Sequence, residues 1–255
     1  MRRARESIKK TKKTHESHRG LSRAIQSPVN VVLEGEAGVG KEHFAKLIHQ
    51  GRNWGGELAV YDCERTVRDQ TRIVEQLTSP VFFQKLRRPT QKDTFFIRRI
   101  DFLQAHLLAR LSDSLGELGK RGAFPRNRLL SSGIIGSLQT SRRKESLINI
   151  QLHRFLNSLF CVKIRVLPLR ERKKEIPKLA ERFISHFNKE QKRNVLGITL
   201  DTLELLLQYN WPDNICELRM EIERAATLTK DYESIKPSVL SENLTKFASK
   251  MHSLG

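Results

Sequence analysis

The string Gly35-Glu36-Ala37-Gly38-Val39-Gly40-Lys41-Glu42 constrains this chain more than any other segment. It fits the spacing GxxxxGK, and its surroundings suit it. Ser27 to Glu34, SPVNVVLE, is a short β-branched run that ends in glycines and predicts a buried strand. Lys41 to Gln50 then places Phe44, Leu47 and Ile48 at helical spacing. Strand, glycine loop and helix therefore follow one another directly. Glycines let successive backbone N–H groups turn inward around phosphate oxygens, the lysine reaches the outer phosphates, and the start of the helix adds its positive dipole end. Gly35, Glu36, Ala37, Gly38, Val39, Gly40, Lys41 and Glu42 are thus the candidate residues for holding a phosphorylated ligand. One position departs from the pattern: Glu42 stands where serine or threonine usually offers a hydroxyl to magnesium.

The rest of the chain predicts a sheet for this loop to sit on. Leu58 to Asp62 and Thr94 to Ile97 read as a second and third strand, Arg128 to Ile135 as a weak fourth, and Cys161 to Leu167 as a fifth that ends at Pro168. Leucines 107, 108, 111, 115 and 118 mark an amphipathic helix from Phe102 to Leu118 that stops at Gly119. Strands alternating with helices predict a parallel sheet covered on both faces. After Arg172 the pattern is helical only. Lys174 to Lys189 carries Ile176, Leu179, Phe183, Ile184 and Phe187 on one stripe; Thr199 to Tyr209 follows, and Asn214 to Leu228 begins after a Trp-Pro-Asp-Asn turn. The expected organisation is a basic tail over residues 1–20, an α/β domain over 21–172, a small all-helical lid over 173–245 and a short tail over 246–255, without internal repeats.

Charge bounds the function classes. With 47 Lys+Arg against 28 Asp+Glu in 255 residues, the chain carries a formal +19 and will be drawn to polyanions, although charge alone does not choose among nucleic acid, anionic lipid and phosphorylated ligands. Residues 1–20 hold eight Lys/Arg and two Glu with almost nothing apolar, the composition of a solvated arm or of a non-specific nucleic-acid contact. Lys85 to Glu145 adds fourteen Lys/Arg against five Asp/Glu, and this excess lies inside the fold. No stretch approaches the roughly 18–20 apolar residues of a membrane span, and the N-terminus has no apolar run to serve as a signal peptide, so a cytoplasmic location is expected. Cys63, Cys161 and Cys216 are odd in number and far apart, and among eight histidines only His15 and His18 lie close, so neither a disulfide framework nor a metal site is proposed. Aromatic content is 7% and no zinc-finger or RNP-like pattern occurs, so base-specific reading has no support.

The string GEAGVGKE, with glutamate after the lysine, resembles the AAA+ ATPase domain of sigma-54-dependent transcription activators, the bacterial enhancer-binding proteins. Other segments agree in order. Cys63 sits where that family has Asn-Cys after its second strand, and Gln104, Leu107, Leu108 and Leu111 match its Q-x-x-L-L helix. Leu167 to Arg172 is similar to PPLRER, Lys174 to Pro177 to the following x-D-I-P, and Trp211 to Leu218 to WPGNVREL. The likeness covers roughly Leu21 to Leu244, and neither a receiver domain before it nor a DNA-binding domain after it is expected. The resemblance implies a P-loop parallel sheet with a helical lid, ATP or ADP as ligand, and other AAA+ subunits or the transcription machinery as partners.

Where the family has an Asp-Glu pair at the end of its third strand, to order magnesium and polarise water, this chain has Arg98 and Arg99. Arginine stays protonated, so it neither holds a cation nor acts as a base. Asp101, the nearest acid, falls beyond the strand end. The family's Thr-Asn sensor falls near Gly133 and Ile134, its arginine fingers on Asn149 and Phe155 with Arg154 one residue out of register, and its lid arginine on Cys216. The sigma-contacting GAFTGA loop has no counterpart between Cys63 and Thr94. No catalytic residue is therefore assigned, and magnesium itself is in question. The expectation is a pseudo-ATPase that binds ATP, hydrolyses it poorly or not at all, and regulates transcription by binding; the alternatives are an active atypical ATPase rescued by Asp101, Arg154 or partner subunits, and a nucleic-acid-binding or scaffold protein that has lost nucleotide dependence. On this reading Arg98 and Arg99 are expected to meet a bound phosphate directly.

Overall fold

Five short apolar runs form one all-parallel sheet in the spatial order β2-β3-β4-β1-β5. The strands are β1 (Val31–Gly35), β2 (Gly55–Asp62), β3 (Lys92–Arg98), β4 (Gly133–Gln139) and β5 (Val162–Arg165). The computed structural model describes residues 20–26, 29–53, 55–87, 92–120, 133–140, 148–159 and 161–252. The expected basic arm thus falls almost wholly outside the described residues, as do the start of the fourth predicted strand and residues 27 and 28 of the first.

The chain divides into two compact units. The first runs through Gly35 and resumes from Gly40 to Val166; the second consists of Glu36–Val39 and Leu167–Gly255. The division falls after Val166, ahead of the boundary expected at Arg172, because Leu169 and its neighbours are anchored on lid residues: the Leu169 N–H donates to Asn214 Oδ1 at 2.8 Å.

In the first unit the helices are α1 (residues 20–26), α2 (Lys41–Arg52), α3 (Val67–Leu77), α4 (Pro80–Arg87), α5 (Ala105–Lys120) and α6 (Ile148–Ser158). Parallel strands need crossover helices, and these cover both faces. The central strands are accordingly apolar on both sides: Val31, Val32 and Leu33 of β1, Phe95, Phe96 and Ile97 of β3, and Ile134 and Ile135 of β4 are all buried. Leu107, Leu108, Leu111 and Leu115 of α5 pack into this core with Phe155 of α6, each buried leucine contributing about 2 kcal/mol of apolar transfer. The helix expected from Phe102 begins three residues later, since Ile100–Phe102 makes a 3₁₀ turn behind Arg99, whose backbone is left-handed (φ 56). Helices α3 and α4 fill the stretch between Cys63 and Thr94, where the sequence reading placed no element.

The second unit holds α7 (Ile176–Gln191), α8 (Leu200–Gln208), α9 (Asn214–Leu228) and α10 (Glu242–His252). Besides its helices it carries a two-residue parallel pairing of β6 (Gly197–Ile198) with β7 (Ser234–Ile235). Trp211, fully buried, centres its core with Ile176, Ile184, Leu206, Leu218 and Ile222, and its indole N–H donates to the Leu206 carbonyl at 2.8 Å. Helix α10 continues to His252, past the tail boundary expected at residue 246.

Candidate functional site

Because the strands are parallel, their C-terminal ends share one edge of the sheet, where ligands of open α/β sheets bind. Register places Gly35 of β1 beside Gln139 of β4, and Asp62 of β2 beside Arg98 of β3. The glycine loop leaves this edge from β1. Gly38 and Gly40 have φ of +68 and +89, left-handed conformations that a side chain disfavours, and Gly40 is the N-cap of α2. Lys41, the first residue of α2, donates from Nζ to the Gly35 carbonyl at 2.9 Å. Glu42 pairs with Lys46 one turn on at 2.9 Å and is half-exposed.

The crest of the loop, Glu36 to Val39, is held by residues of the second unit. Asn214 is fully buried with a left-handed backbone (φ 55). Its Nδ2 donates to the Ala37 carbonyl at 2.9 Å and to the Glu36 carboxylate at 3.2 Å, while its Oδ1 accepts from Leu169. The Ile215 N–H donates to the Gly38 carbonyl at 3.0 Å. Arg170 grips both Glu36 carboxylate oxygens, a bidentate pair that raises the guanidinium pKa. Arg172, almost wholly buried, donates to the Val39 carbonyl and to Glu175; burial lowers its pKa and Glu175 opposes this. Gly38 lies so close to the lid that a Cβ there would meet the Asp213 carbonyl oxygen at 2.1 Å. Each crest carbonyl from Ala37 to Val39 therefore has a donor. A concave run of backbone N–H groups is the arrangement an anion needs.

The end of β3 is built differently. Arg99 Nη2 lies 3.0 Å from Asp101 Oδ2 and its Nη1 3.2 Å from Glu64 Oε2. Arg98 is more exposed and faces Asp62 at 3.5 Å and Glu64 at 3.7 Å. The Gln139 N–H donates to Asp101 Oδ1 at 3.2 Å, and the Arg99 N–H to Ser137 Oγ at 3.0 Å, so β4 fixes both residues. The Arg99 guanidinium also sits 4.1 Å from the centre of the Phe102 ring. Both arginines thus face carboxylates of the sheet edge. Cys63, where β2 ends, is fully buried, and desolvation first, then Asp62 and Asp101, push its thiol to about 12.

Comparison with known proteins identifies the frame. Residues 7–74 match the Sigma-54 interaction domain family and residues 170–254 the AAA+ ATPase lid domain family. The chain belongs to the sigma-54 interaction family of AAA+ modules. It is 30% identical over 243 residues to the transcriptional regulatory protein XylR of Pseudomonas putida, which covers 88% of this chain and 41% of the relative. The phenol regulator MopR of Acinetobacter guillouiae is 27% identical over 85% of the chain and 40% of its own length. The transcriptional activator RocR of Bacillus subtilis is 29% identical over 86% and 49%. The chain thus spans between two fifths and one half of these curated relatives. Among solved structures, NtrX from Brucella abortus in complex with ATP superposes with TM-score 0.61 at 17% identity, covering 92% of this chain and 56% of that one. The Holliday junction branch migration motor RuvB of Thermotoga maritima gives TM-score 0.55 at 15% identity over 92% and 68%.

The other positions singled out by likeness to sigma-54 interaction modules can now be placed. Gly133 and Ile134 are buried strand residues of β4, with no polar side chain to offer. Phe155 is core, wholly buried in α6. Arg154 is exposed and pairs with Asp113 of α5 at 2.8 Å, while the Asn149 side chain lies outside the described residues. Cys216 is exposed on α9. Among the described residues no group of three or more His, Cys, Asp or Glu is arranged to hold a metal ion, and no helix is long and apolar enough to cross a membrane. Sequence reasoning missed Asp62 and Glu64, which only the β2–β3 register brings to the arginines. It quoted Arg170, Arg172 and Asn214 as parts of motifs without seeing that they hold the loop.

Proposed function

We propose that this chain is a regulatory nucleotide-binding module: it takes ATP or ADP on the loop from Gly35 to Glu42, hydrolyses it poorly or not at all, and acts in transcription control through what it binds rather than through turnover. The observation that carries this reading is the contrast between a loop braced carbonyl by carbonyl from the lid and a β3 end where guanidinium groups face the acids. A relative of the same fold is described in complex with ATP, and others as transcriptional regulators, which supports the ligand class and the setting.

Phosphoryl transfer to water relies on a cation to neutralise developing charge, a positioned water and cationic fingers, which together contribute several orders of magnitude. The two candidate substitutes are engaged elsewhere: Asp101 accepts from Arg99 and Gln139, and Arg154 pairs with Asp113. Partners on this reading are the nucleotide and protein components of the transcription machinery, including other AAA+ subunits.

Titration of a fluorescent ATP analogue into wild type and Lys41→Ala, paired with phosphate release in magnesium over a range of protein concentrations, tests the proposal. Wild type should bind, and Lys41→Ala should lose roughly 10- to 100-fold in affinity, the effect of one charge-assisted hydrogen bond. Phosphate release should stay at background. Equal, negligible binding in both proteins, or phosphate release abolished by Lys41→Ala, overturns it.

A further inference from the structure

The fold family implies magnesium beside the nucleotide, and the residues at this sheet edge do not fit it. A magnesium ion demands hard oxygen donors in near-octahedral geometry, usually one or two carboxylates together with waters and phosphate. The loop lysine is followed by Glu42, engaged with Lys46, instead of a hydroxyl. The three carboxylates at the ends of β2 and β3 are Asp62, Glu64 and Asp101, and each already faces a guanidinium.

Geometry makes this cluster self-contained. Arg99 bridges two of the acids, Glu64 and Asp101, with a side chain only 14% exposed. Its Nε and Nη2 both lie within reach of Asp101, at 3.3 and 3.0 Å from Oδ2. Asp101 Oδ1 takes the Gln139 N–H, so that carboxylate is occupied on both oxygens. Backbone is committed as well. Arg99 holds a left-handed φ of 56, which costs a non-glycine residue about 1–2 kcal/mol, and the ion pairs, the Ser137 contact and the Phe102 ring offset that cost. Two permanent positive charges against three carboxylates leave a single negative charge in excess. A divalent cation would have to displace a guanidinium that cannot lose its proton.

We infer that the two arginines occupy electrostatically the place of the family's metal ion: the chain recruits no divalent cation at this edge, and its affinity for nucleotide is indifferent to magnesium. The second half of this inference rests on the nucleotide-binding reading above; the first half does not.

Two measurements on the full chain separate them. In the first, Mn2+ stands in for magnesium, and the EPR signal of free Mn2+ is followed as nucleotide-free protein is added. Wild type should leave the signal unchanged, whereas Arg98→Gln/Arg99→Gln, which releases three carboxylates, should deplete it, with circular dichroism checking that the variant folds. Depletion by wild type, or a folded double variant that takes up no more Mn2+ than wild type, overturns cation exclusion. In the second, the fluorescent ATP analogue is titrated in EDTA and in magnesium; the two dissociation constants should agree within about twofold. A tenfold or greater tightening by magnesium overturns metal indifference while leaving nucleotide binding intact. Absence of binding in both buffers overturns the nucleotide reading and the metal indifference that rests on it, and the Mn2+ result still decides the exclusion.

Discussion

The glycine loop and the end of β3 serve one chemistry in the sigma-54 interaction family, yet in this chain they are built on opposite principles. In the loop, the crest Glu36–Val39 is part of the second unit and its polar groups are matched there: three crest carbonyls and one carboxylate meet Asn214, Ile215, Arg170 and Arg172. At the end of β3, side chains of the sheet edge satisfy one another, arginine against acid. The first arrangement ties the crest to residues distant in sequence, and the second ties acids to arginines along one sheet edge. The two regions are thus maintained by separate sets of neighbours on one scaffold.

Four measurements would sharpen or break this comparison. The largest contrast should be in thiol chemistry. With its thiol pushed to about 12, Cys63 beside the arginine cluster has at pH 8 a thiolate fraction of roughly one in ten thousand. The sign is that of a buried acid: its charged form gains only as pH rises towards that value. A thiol reagent at pH 8 should therefore modify exposed Cys216 rapidly and Cys63 only on unfolding, as peptide mapping would reveal; early modification of Cys63 would mean that the β3 edge opens.

Next is a pair of glycines with almost the same φ. Gly38 and Gly55 have φ of +68 and +71, but a Cβ at Gly38 meets the Asp213 oxygen at 2.1 Å while one at Gly55 meets nothing within 4 Å. Gly55→Ala should cost about 1 kcal/mol in chemical denaturation, the left-handed penalty alone. Gly38→Ala should cost clearly more and also weaken the ATP analogue; equal costs would mean that the crest is not seated as described.

Asn214→Ala removes, from a fully buried side chain, the donor to Ala37 and the acceptor for Leu169. A loss of about 1–3 kcal/mol is expected, read as a lower denaturant midpoint with a matching drop in analogue affinity. An affinity unchanged in a destabilised protein would separate the brace from the loop's function. Smallest of all, Arg154→Ala should change stability by less than about 0.5 kcal/mol, since its pair with Asp113 is exposed on both sides. It should leave analogue affinity and phosphate release alone; any loss would return Arg154 to the list of catalytic substitutes.

Much of the frame was legible in the residues. A β-branched run that ends at Gly35 and apolar residues at helical spacing after Lys41 are enough to place a strand, a turn and a helix, and the leucines of α5 announce their buried stripe. Helix α9 begins and ends where Asn214 and Leu228 suggested, because a Trp-Pro-Asp-Asn turn is a strong local stop. The start of α5 was less legible: Arg99 turns left-handed and Ile100–Phe102 takes a 3₁₀ turn, choices made by contacts with Ser137 and Glu64 that no local pattern encodes. Helices α3 and α4 were missed for a related reason, since their few apolar positions acquire meaning only against α5 and β3.

For the site, sequence alone determined which chemical groups are present: a glycine loop with its lysine, and two permanent cations, Arg98 and Arg99, at the end of the third strand. That follows from covalent identity, and no fold alters it. Tertiary structure decided what those groups are spent on. Parallel register sets Asp62 beside Arg98 and brings Glu64 and Asp101 within reach of Arg99, and the lid motif turns on Asn214 to take hold of a loop 177 positions earlier in the chain. Charges and donors act over a few ångströms, so their partners are chosen by the packing that brings distant segments together.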